Sequence, residues 1–97
     1  MKRDHALTTL RAHRDELTKL GVGELYLFGS VARDEARDDS DVDLFFDYNY
    51  PRFSLLDLVG VKDRVSEILG TEADVMTRRG LHRDLRADIE AEAIRVF

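Results

Sequence analysis

The sequence has no cysteine, one proline and no long apolar run. Without cysteine, the chain forms no disulfide and performs no thiolate chemistry. No segment approaches the roughly 20 apolar residues that a membrane-spanning helix needs. Residues 1–10 are polar and charged, and they lack the apolar centre of a signal peptide. We therefore expect a cytoplasmic protein that does not contact membranes.

Basic residues are also fewer than acidic ones, with 15 lysines and arginines and 20 aspartates and glutamates. The formal net charge of -5 disfavours attachment to nucleic-acid backbones, which requires clustered basic side chains. We expect no direct nucleic-acid binding. Binding of a nucleotide is still compatible with this net charge, because a metal ion can offset local negative charge. The 97 residues are 43% hydrophobic and 36% charged, which is typical of one globular domain spanning residues 1–97.

Leucines at helical spacing predict an amphipathic helix over residues 4–20. We expect Asp4 to be its N-cap and Gly21 to end it. Short apolar runs predict strands over residues 24–28 and 41–46, and the loop with the single proline spans residues 47–53. The buried face of the first helix is predicted to comprise Leu7, Leu10, Leu17 and Leu20.

The sequence pattern of the second half of the chain predicts a helix, a strand and another helix. Ser54 and Asp57 have the spacing of a capping box, which begins a helix that ends at Gly70. Residues 73–77 should form a strand, residues 83–93 a helix, and residues 94–97 a terminal strand or an apolar plug. The stripe predicted to be buried on the first of these helices is Leu55, Leu58, Val61, Val65, Ile68 and Leu69. This order predicts an α/β (α+β) fold with a small mixed β-sheet and helices mainly on one face.

Gly29 and Ser30 follow the first predicted strand and have properties that suit phosphate. Glycine lets the backbone approach a ligand closely. The serine hydroxyl and the free N–H groups at a helix start can donate to phosphate oxygens. Arg33 comes next along the chain, where it can reach a phosphate or pair with a neighbouring acid. Taken alone, however, a Gly-Ser pair more often forms a plain turn.

Asp41 and Asp43 are spaced so that both carboxylates point to the same face of the second strand. The two carboxylates repel each other unless a cation binds between them. Mg²⁺ prefers carboxylate oxygens as ligands and leaves coordination positions open for substrate phosphates. Ordinary surface acids on an exposed strand are an equally good explanation of this pair. Aspartate is nonetheless a poor strand former, so two within one strand invite a functional reason.

Asp74 lies within the third predicted strand, and a neighbouring strand would bring it beside the first two carboxylates. Three carboxylates can hold two metal ions about 3.5–4 Å apart, which stabilises the attacking and leaving oxygens of phosphoryl transfer. Asp74 would then orient or deprotonate the attacking hydroxyl. By itself, Asp74 is better explained as an acid at the end of a strand.

The combination resembles the DNA polymerase beta nucleotidyltransferase superfamily: a strand, Gly-Ser, ten intervening residues, Asp-x-Asp on a strand, a helix, and a strand with Asp. The segments LFGSVAR at residues 27–33 and DSDVDL at residues 39–44 resemble the minimal nucleotidyltransferases of prokaryotic toxin–antitoxin pairs. Residues 78–82 and 92–97 are similar to the tail of that family. The resemblance covers nearly the whole chain and implies the nucleotidyltransferase fold.

The resemblance also implies an activity and a partner. Family members bind ATP with Mg²⁺ and transfer AMP to a tyrosine hydroxyl of a helical HEPN-class toxin, which neutralises the toxin. Two alternatives remain, namely an antitoxin that acts by binding alone and a transferase that modifies a small molecule. Carried over by motif, the residues that hold the triphosphate would be Gly29 and Ser30, with Arg33 beside them. The metal ligands and catalytic residues would be Asp41, Asp43 and Asp74, with Asp74 as the base.

One position departs from the family pattern. Family members often have glycine after the arginine, where this chain has Asp34. Glycine would end the short helical turn easily in a left-handed conformation, which aspartate adopts less readily but better than most residues. Because Asp34 also adds negative charge near the triphosphate, we expect it to weaken ATP binding without abolishing it.

Overall fold

The computed structural model describes residues 1–49 and 51–97. Within them, no helix is both long and apolar enough to cross a membrane. In chain order the elements are α1 (Arg3–Ala12), α2 (Arg14–Lys19), β1 (Val22–Phe28), α3 (Gly29–Ala32), β2 (Val42–Tyr48), α4 (Leu55–Leu69), β3 (Ala73–Thr77), α5 (Arg86–Glu92) and β4 (Ile94–Arg95). A 3-10 turn, Arg78–Gly80, follows β3.

The four strands form one sheet in the order β3-β2-β1-β4. β1 runs antiparallel to both β2 and β4, whereas β2 and β3 are parallel. The sheet is therefore mixed, as predicted. Parallel neighbours need a crossover connection, and α4 supplies it between β2 and β3. The end of the chain forms the short strand β4, after which Val96 is buried.

The two faces of the sheet differ in what covers them. Alternation along β2 directs Val42, Leu44 and Phe46 into the main core, which also takes in buried residues of α1, α2, α3 and α4. The helices thus lie mainly on this face, which confirms the predicted arrangement. The opposite face carries a smaller apolar cluster around Phe28 and Phe45, against which Ile89 of α5 packs. We call this the second face.

Arg78 organises the second face. Its guanidinium carbon lies 5.0 Å from the ring centroids of both Tyr26 and Phe45, a cation–π geometry. Its Nε and Nη2 atoms donate to the two carboxylate oxygens of Asp47 at 2.9 and 3.0 Å, which lowers the pKa of Asp47. Its Nη1 atom lies 3.2 Å from Glu90 of α5. One side chain therefore connects the sheet to α5.

The first predicted helix is divided into two. α1 and α2 are separated at His13, whose φ of -106° and ψ of 17° are not helical. The predicted N-cap is wrong, because α1 begins at Arg3 and Asp4 lies in its first turn. The Arg3 N–H instead donates to the Asp34 carboxylate at 3.2 Å, a tertiary contact that replaces a local cap. The predicted buried position Leu20 is 38% exposed, because it ends α2 at the surface.

α4 follows the sequence prediction at both ends. The Asp57 N–H donates to Ser54 Oγ at 3.3 Å, the Ser54 N–H donates to Asp57 Oδ2 at 2.8 Å, and Gly70 ends the helix with a φ of +69°. Its buried residues are Val61, Val65 and Leu69, with Leu58 and Ile68 partly buried. Leu55 was predicted to be buried but is 76% exposed, because it lies in the first turn, before the stretch that packs on the core.

α5 is shorter than the predicted helix over residues 83–93. It begins at Arg86, because Leu85 closes a preceding turn through its N–H to the His82 carbonyl at 3.0 Å. α5 has no buried residue and is held through Ile89 and its charged side chains.

Replacing Ser54 tests the capping box. Ser54→Ala should lower the free energy of unfolding by about 1 kcal/mol, the usual cost of losing an N-cap acceptor. Ser54→Thr keeps a hydroxyl in the same place and should lose less. Urea denaturation monitored by circular dichroism measures both, and equal losses would contradict the capping role.

Candidate active site

The strand register brings the predicted site residues to one edge of the sheet. Asp43, near the start of β2, lies opposite Phe28 at the end of antiparallel β1 and opposite Asp74 in parallel β3. Gly29 follows Phe28 directly. The three segments named from sequence therefore meet, although Asp43 and Asp74 are 31 positions apart in the chain. The mixed pairing of β2 is what produces this meeting.

Asp43 and Asp74 lie on the second face. Their strand neighbours Val42, Leu44, Ala73 and Val75 are buried in the main core, and alternation sends the two carboxylates the other way. Asp43 is half-buried and Asp74 is exposed. Asp41 was predicted to open the strand but precedes it, since β2 begins at Val42. Asp41 is exposed at the same edge.

Gly29 is tightly constrained by Asp43. Its φ of +74° lies in the left-handed region, which strongly favours glycine. A Cβ atom at this position would lie 2.2 Å from Asp43 Oδ2, so the carboxylate occupies the space of the missing side chain. Val31 and Ala32 of α3 are buried and anchor the turn from the other side. The Gly29–Ser30 backbone and the Asp43 carboxylate thus form one packed unit.

The pKa of Asp43 is raised by its burial and by the acids beside it. Burial of Asp43 is the main cause, followed by the negative charges of Asp74 and Asp41. The positive charge of Arg33 opposes the effect without cancelling it. In the part of the chain that the structure describes, no ion pair joins any of the three aspartates to a basic side chain. Ionisation of Asp43 therefore costs free energy in the folded protein, and a bound cation would reduce this cost.

A divalent metal ion fits the chemistry of these residues. Carboxylate oxygens are the ligands that Mg²⁺ prefers, and two of the three aspartates are open to solvent and to a substrate. Among residues 1–49 and 51–97, no three histidine or acidic side chains are already grouped closely enough to hold a metal. The donors are thus assembled by the sheet, and their final arrangement around an ion is not preformed.

Arg33, which was predicted to bind nucleotide, is paired with two acids. Its Nη1 atom lies 3.0 and 3.2 Å from the carboxylate oxygens of Glu92, and its Nε atom lies 3.2 Å from Glu35. These bonds raise the pKa of Arg33, with Glu92 as the largest cause. Glu92 also accepts a hydrogen bond from the Gly29 N–H at 3.1 Å. Sequence reasoning missed Glu92, because nothing local to α5 signals a contact with the Gly-Ser turn.

Asp34 adopts the left-handed conformation expected at its position, with a φ of +59°. Its carboxylate accepts the Arg3 N–H at the start of α1, where the unpaired N–H groups and the helix dipole favour negative charge. That Asp34 weakens ATP binding through its negative charge stays a prediction. The contact with Arg3 gives Asp34 a further role, because it holds the start of α1.

The chain matches known proteins over most of its length. The family profile for the nucleotidyltransferase domain matches residues 10–96. A provisionally named protein adenylyltransferase of Methanocaldococcus jannaschii is 41% identical over 81 residues, which is 84% of this chain and 86% of the relative. The protein adenylyltransferase MntA of Thermococcus cleftensis is 33% identical over 88 residues, which is 90% of this chain and 88% of the relative.

Solved structures share the same fold. A provisionally named minimal nucleotidyltransferase is 39% identical with a TM-score of 0.74, covering 97% of this chain and 95% of the other. A complex of a tri-AMPylated Shewanella oneidensis HEPN toxin with an MNT antitoxin is similar at a TM-score of 0.60, covering 89% of this chain and 70% of the other. Since identity is 14% in that case, the second likeness supports the fold alone.

The contact between Gly29 and Asp43 can be tested with two glycine replacements. Gly29→Ala should cost about 1–2 kcal/mol from the left-handed backbone alone, and more from the clash with Asp43. Gly60→Ala is the matched control, because a Cβ at this exposed helical position meets no atom within 4 Å. The control should raise the free energy of unfolding by about 1 kcal/mol. Chemical denaturation measures both, and similar effects of the two changes would contradict the proposed constraint.

The electrostatic cost of Asp43 predicts that its removal stabilises the metal-free protein. Because the folded-state pKa of Asp43 is raised, its ionisation costs stability as pH rises above the ordinary aspartate value. Asp43→Asn should therefore melt higher than the wild type at neutral pH with a chelator present. The difference should shrink below about pH 4, where the carboxyl is protonated in both states.

Asp63→Asn is the control for this experiment, because it removes one negative charge at an exposed position of α4. It should leave the melting temperature nearly unchanged. Added Mg²⁺ should raise the melting temperature of the wild type and of Asp63→Asn, but not that of Asp43→Asn. A lower melting temperature for metal-free Asp43→Asn would refute the electrostatic interpretation.

Proposed function

This chain belongs to the nucleotidyltransferase domain family, and on that premise we propose that it transfers AMP from ATP to a hydroxyl of a partner protein. The observation that supports this most is the row formed by Gly29, Asp43 and Asp74 at one edge of the sheet. The Gly29 turn at the start of α3 lies there against carboxylates that, within the described residues, form no ion pair with a basic side chain. This is the combination that binding of a metal-bound triphosphate requires.

Each residue of the candidate site has a proposed role. Gly29 and Ser30 bind phosphate oxygens through backbone N–H groups and the serine hydroxyl, and Arg33 adds a positive charge. Asp41, Asp43 and Asp74 would hold Mg²⁺, which would supply charge neutralisation at the phosphates. The catalytic contribution of the protein is then mainly positioning and electrostatic stabilisation.

The proposed reaction is an in-line displacement at the alpha phosphorus of ATP. The acceptor hydroxyl oxygen forms a bond to this phosphorus, and the bond to the oxygen that bridges to the beta phosphate breaks. Pyrophosphate leaves with the electron pair of that bond. The hydroxyl proton passes to the carboxylate of Asp74, which is exposed and so accessible to an acceptor.

The proposed acceptor is a tyrosine hydroxyl on a HEPN-class toxin, which makes the chain an antitoxin. A protein acceptor is supported by the adenylyltransferase relatives, at 41% and 33% identity. In the solved complex that shares this fold, the partner of the MNT antitoxin is a tri-AMPylated HEPN toxin. An exposed apolar surface formed by Leu55, Leu56 and Val59 of α4 is available for contact with a protein.

The assay combines the chain, ATP and Mg²⁺ with the HEPN-class protein encoded beside it, and measures the intact mass of that protein. We expect the mass to rise by one or more AMP units. Asp43→Asn should slow the transfer by about 100-fold or more, in line with the loss of one electrostatic element of an active site. Gly60→Ala serves as the folded control and should transfer at the wild-type rate.

Two alternatives predict different results in the same assay. An antitoxin that acts by binding alone would leave the partner's mass unchanged, and Asp41→Ala with Asp43→Ala would still neutralise the toxin. A transferase for small molecules would leave the partner unlabelled and would release pyrophosphate from ATP only after a small molecule with an acceptor hydroxyl is added. Either result would refute the proposed protein acceptor.

A further inference from the structure

The Gly-Ser turn already carries an acidic ligand from within the chain. One carboxylate, that of Glu92, accepts the Gly29 N–H at 3.1 Å and pairs with the Arg33 guanidinium at 3.0 and 3.2 Å. These are the backbone donor and the basic side chain that the proposed function assigns to phosphate. A carboxylate bound by an N–H group and a guanidinium makes the same charge-assisted bonds that a phosphate would make.

We infer that Glu92 is an internal competitor of the nucleotide's phosphates and thereby sets the affinity of the site. The inference rests on the proposed function, because it concerns the same turn. Binding of a triphosphate exchanges the partners of Gly29 and Arg33 from the Glu92 carboxylate to phosphate oxygens. Glu92 determines how often the turn is free to receive them, and apparent affinity falls in proportion to that fraction.

The exchange requires only a movement of the Glu92 side chain. The backbone after Glu92 is fixed, because Ile94 and Arg95 pair with Leu27 and Tyr26 in the sheet. The Glu92 side chain itself is 33% exposed and therefore has solvent on one side into which it can turn. Arg33 remains near the turn in the exchanged state, because its backbone N–H donates to the Gly29 carbonyl oxygen at 3.1 Å.

The charge of Glu92 adds a second effect in the same direction. The pKa of Asp43 is raised mainly by burial and by the charges of Asp74 and Asp41, and the negative charge of Glu92 adds a smaller effect in the same direction. A bound triphosphate would bring further negative charge to that place. Displacing the Glu92 carboxylate from the turn makes room for the phosphate. It also moves one negative charge away from the phosphate.

The test measures the affinity of the full chain for ATP with Mg²⁺ by titration calorimetry. Glu92→Gln keeps the shape of the side chain but weakens its hold on Gly29 and Arg33. It should bind ATP about five- to thirty-fold more tightly than the wild type. Glu92→Asp keeps the charge and shortens the reach, so it should show a smaller gain.

Glu35→Gln is the matched control, because the Glu35 carboxylate also pairs with Arg33, whereas the Gly29 N–H donates to Glu92. It should change the affinity by no more than about twofold, which separates competition at the turn from the loss of one negative charge. Inorganic tripolyphosphate should give the same order of affinities as ATP, because Glu92 competes with phosphate and not with adenine. Thermal melting of each variant verifies that the fold is intact.

The outcomes separate this inference from the proposed function. Unchanged or weaker ATP binding by Glu92→Gln, while the wild type transfers AMP to its partner, overturns the competitor role and leaves the transferase proposal standing. An equal gain for Glu35→Gln, or a gain for ATP but not for tripolyphosphate, also overturns it. If no variant and no wild-type protein binds ATP, the proposed function itself is rejected.

Discussion

The close packing of the Asp43 carboxylate against the Gly29 backbone is the constraint around which the site is built. It requires that the end of β1 and the start of β2 lie at one edge of the sheet, and antiparallel pairing of these strands meets that condition. It also requires a residue without a Cβ atom at position 29. The parallel partner β3 then places Asp74 in the same row.

This arrangement keeps an electrostatic cost in the folded protein. Asp43 is half-buried near Asp74 and Asp41, and its pKa is raised first by burial and then by these two charges. Residues chosen for stability alone would not be placed this way, since a neutral side chain would fit the same space with less repulsion. A bound cation would make the arrangement favourable, so cation binding would be coupled to the stability of the fold at this edge.

The second face explains how the C-terminal part reaches the site. α5 buries none of its own residues, and its position depends on Arg78, which joins the rings of Tyr26 and Phe45 to Asp47 and Glu90. With α5 held there, Glu92 reaches the Gly-Ser turn. The charged side chains of this region, which look like a solvated surface in the sequence, hold an element beside the site.

Local patterns in the sequence determined the elements and named the three segments of the site. The capping box at Ser54, the glycine that ends α4 and the alternation along β2 depend on neighbours a few residues apart, so they are readable without the fold. Their spacing also matched a family. The tertiary structure alone decided the contacts that cross the chain, such as Asp34 with Arg3 and Gly29 with Glu92, the latter 63 residues apart. No local pattern encodes such pairs, because they depend on which strands are neighbours and on where a short helix is held.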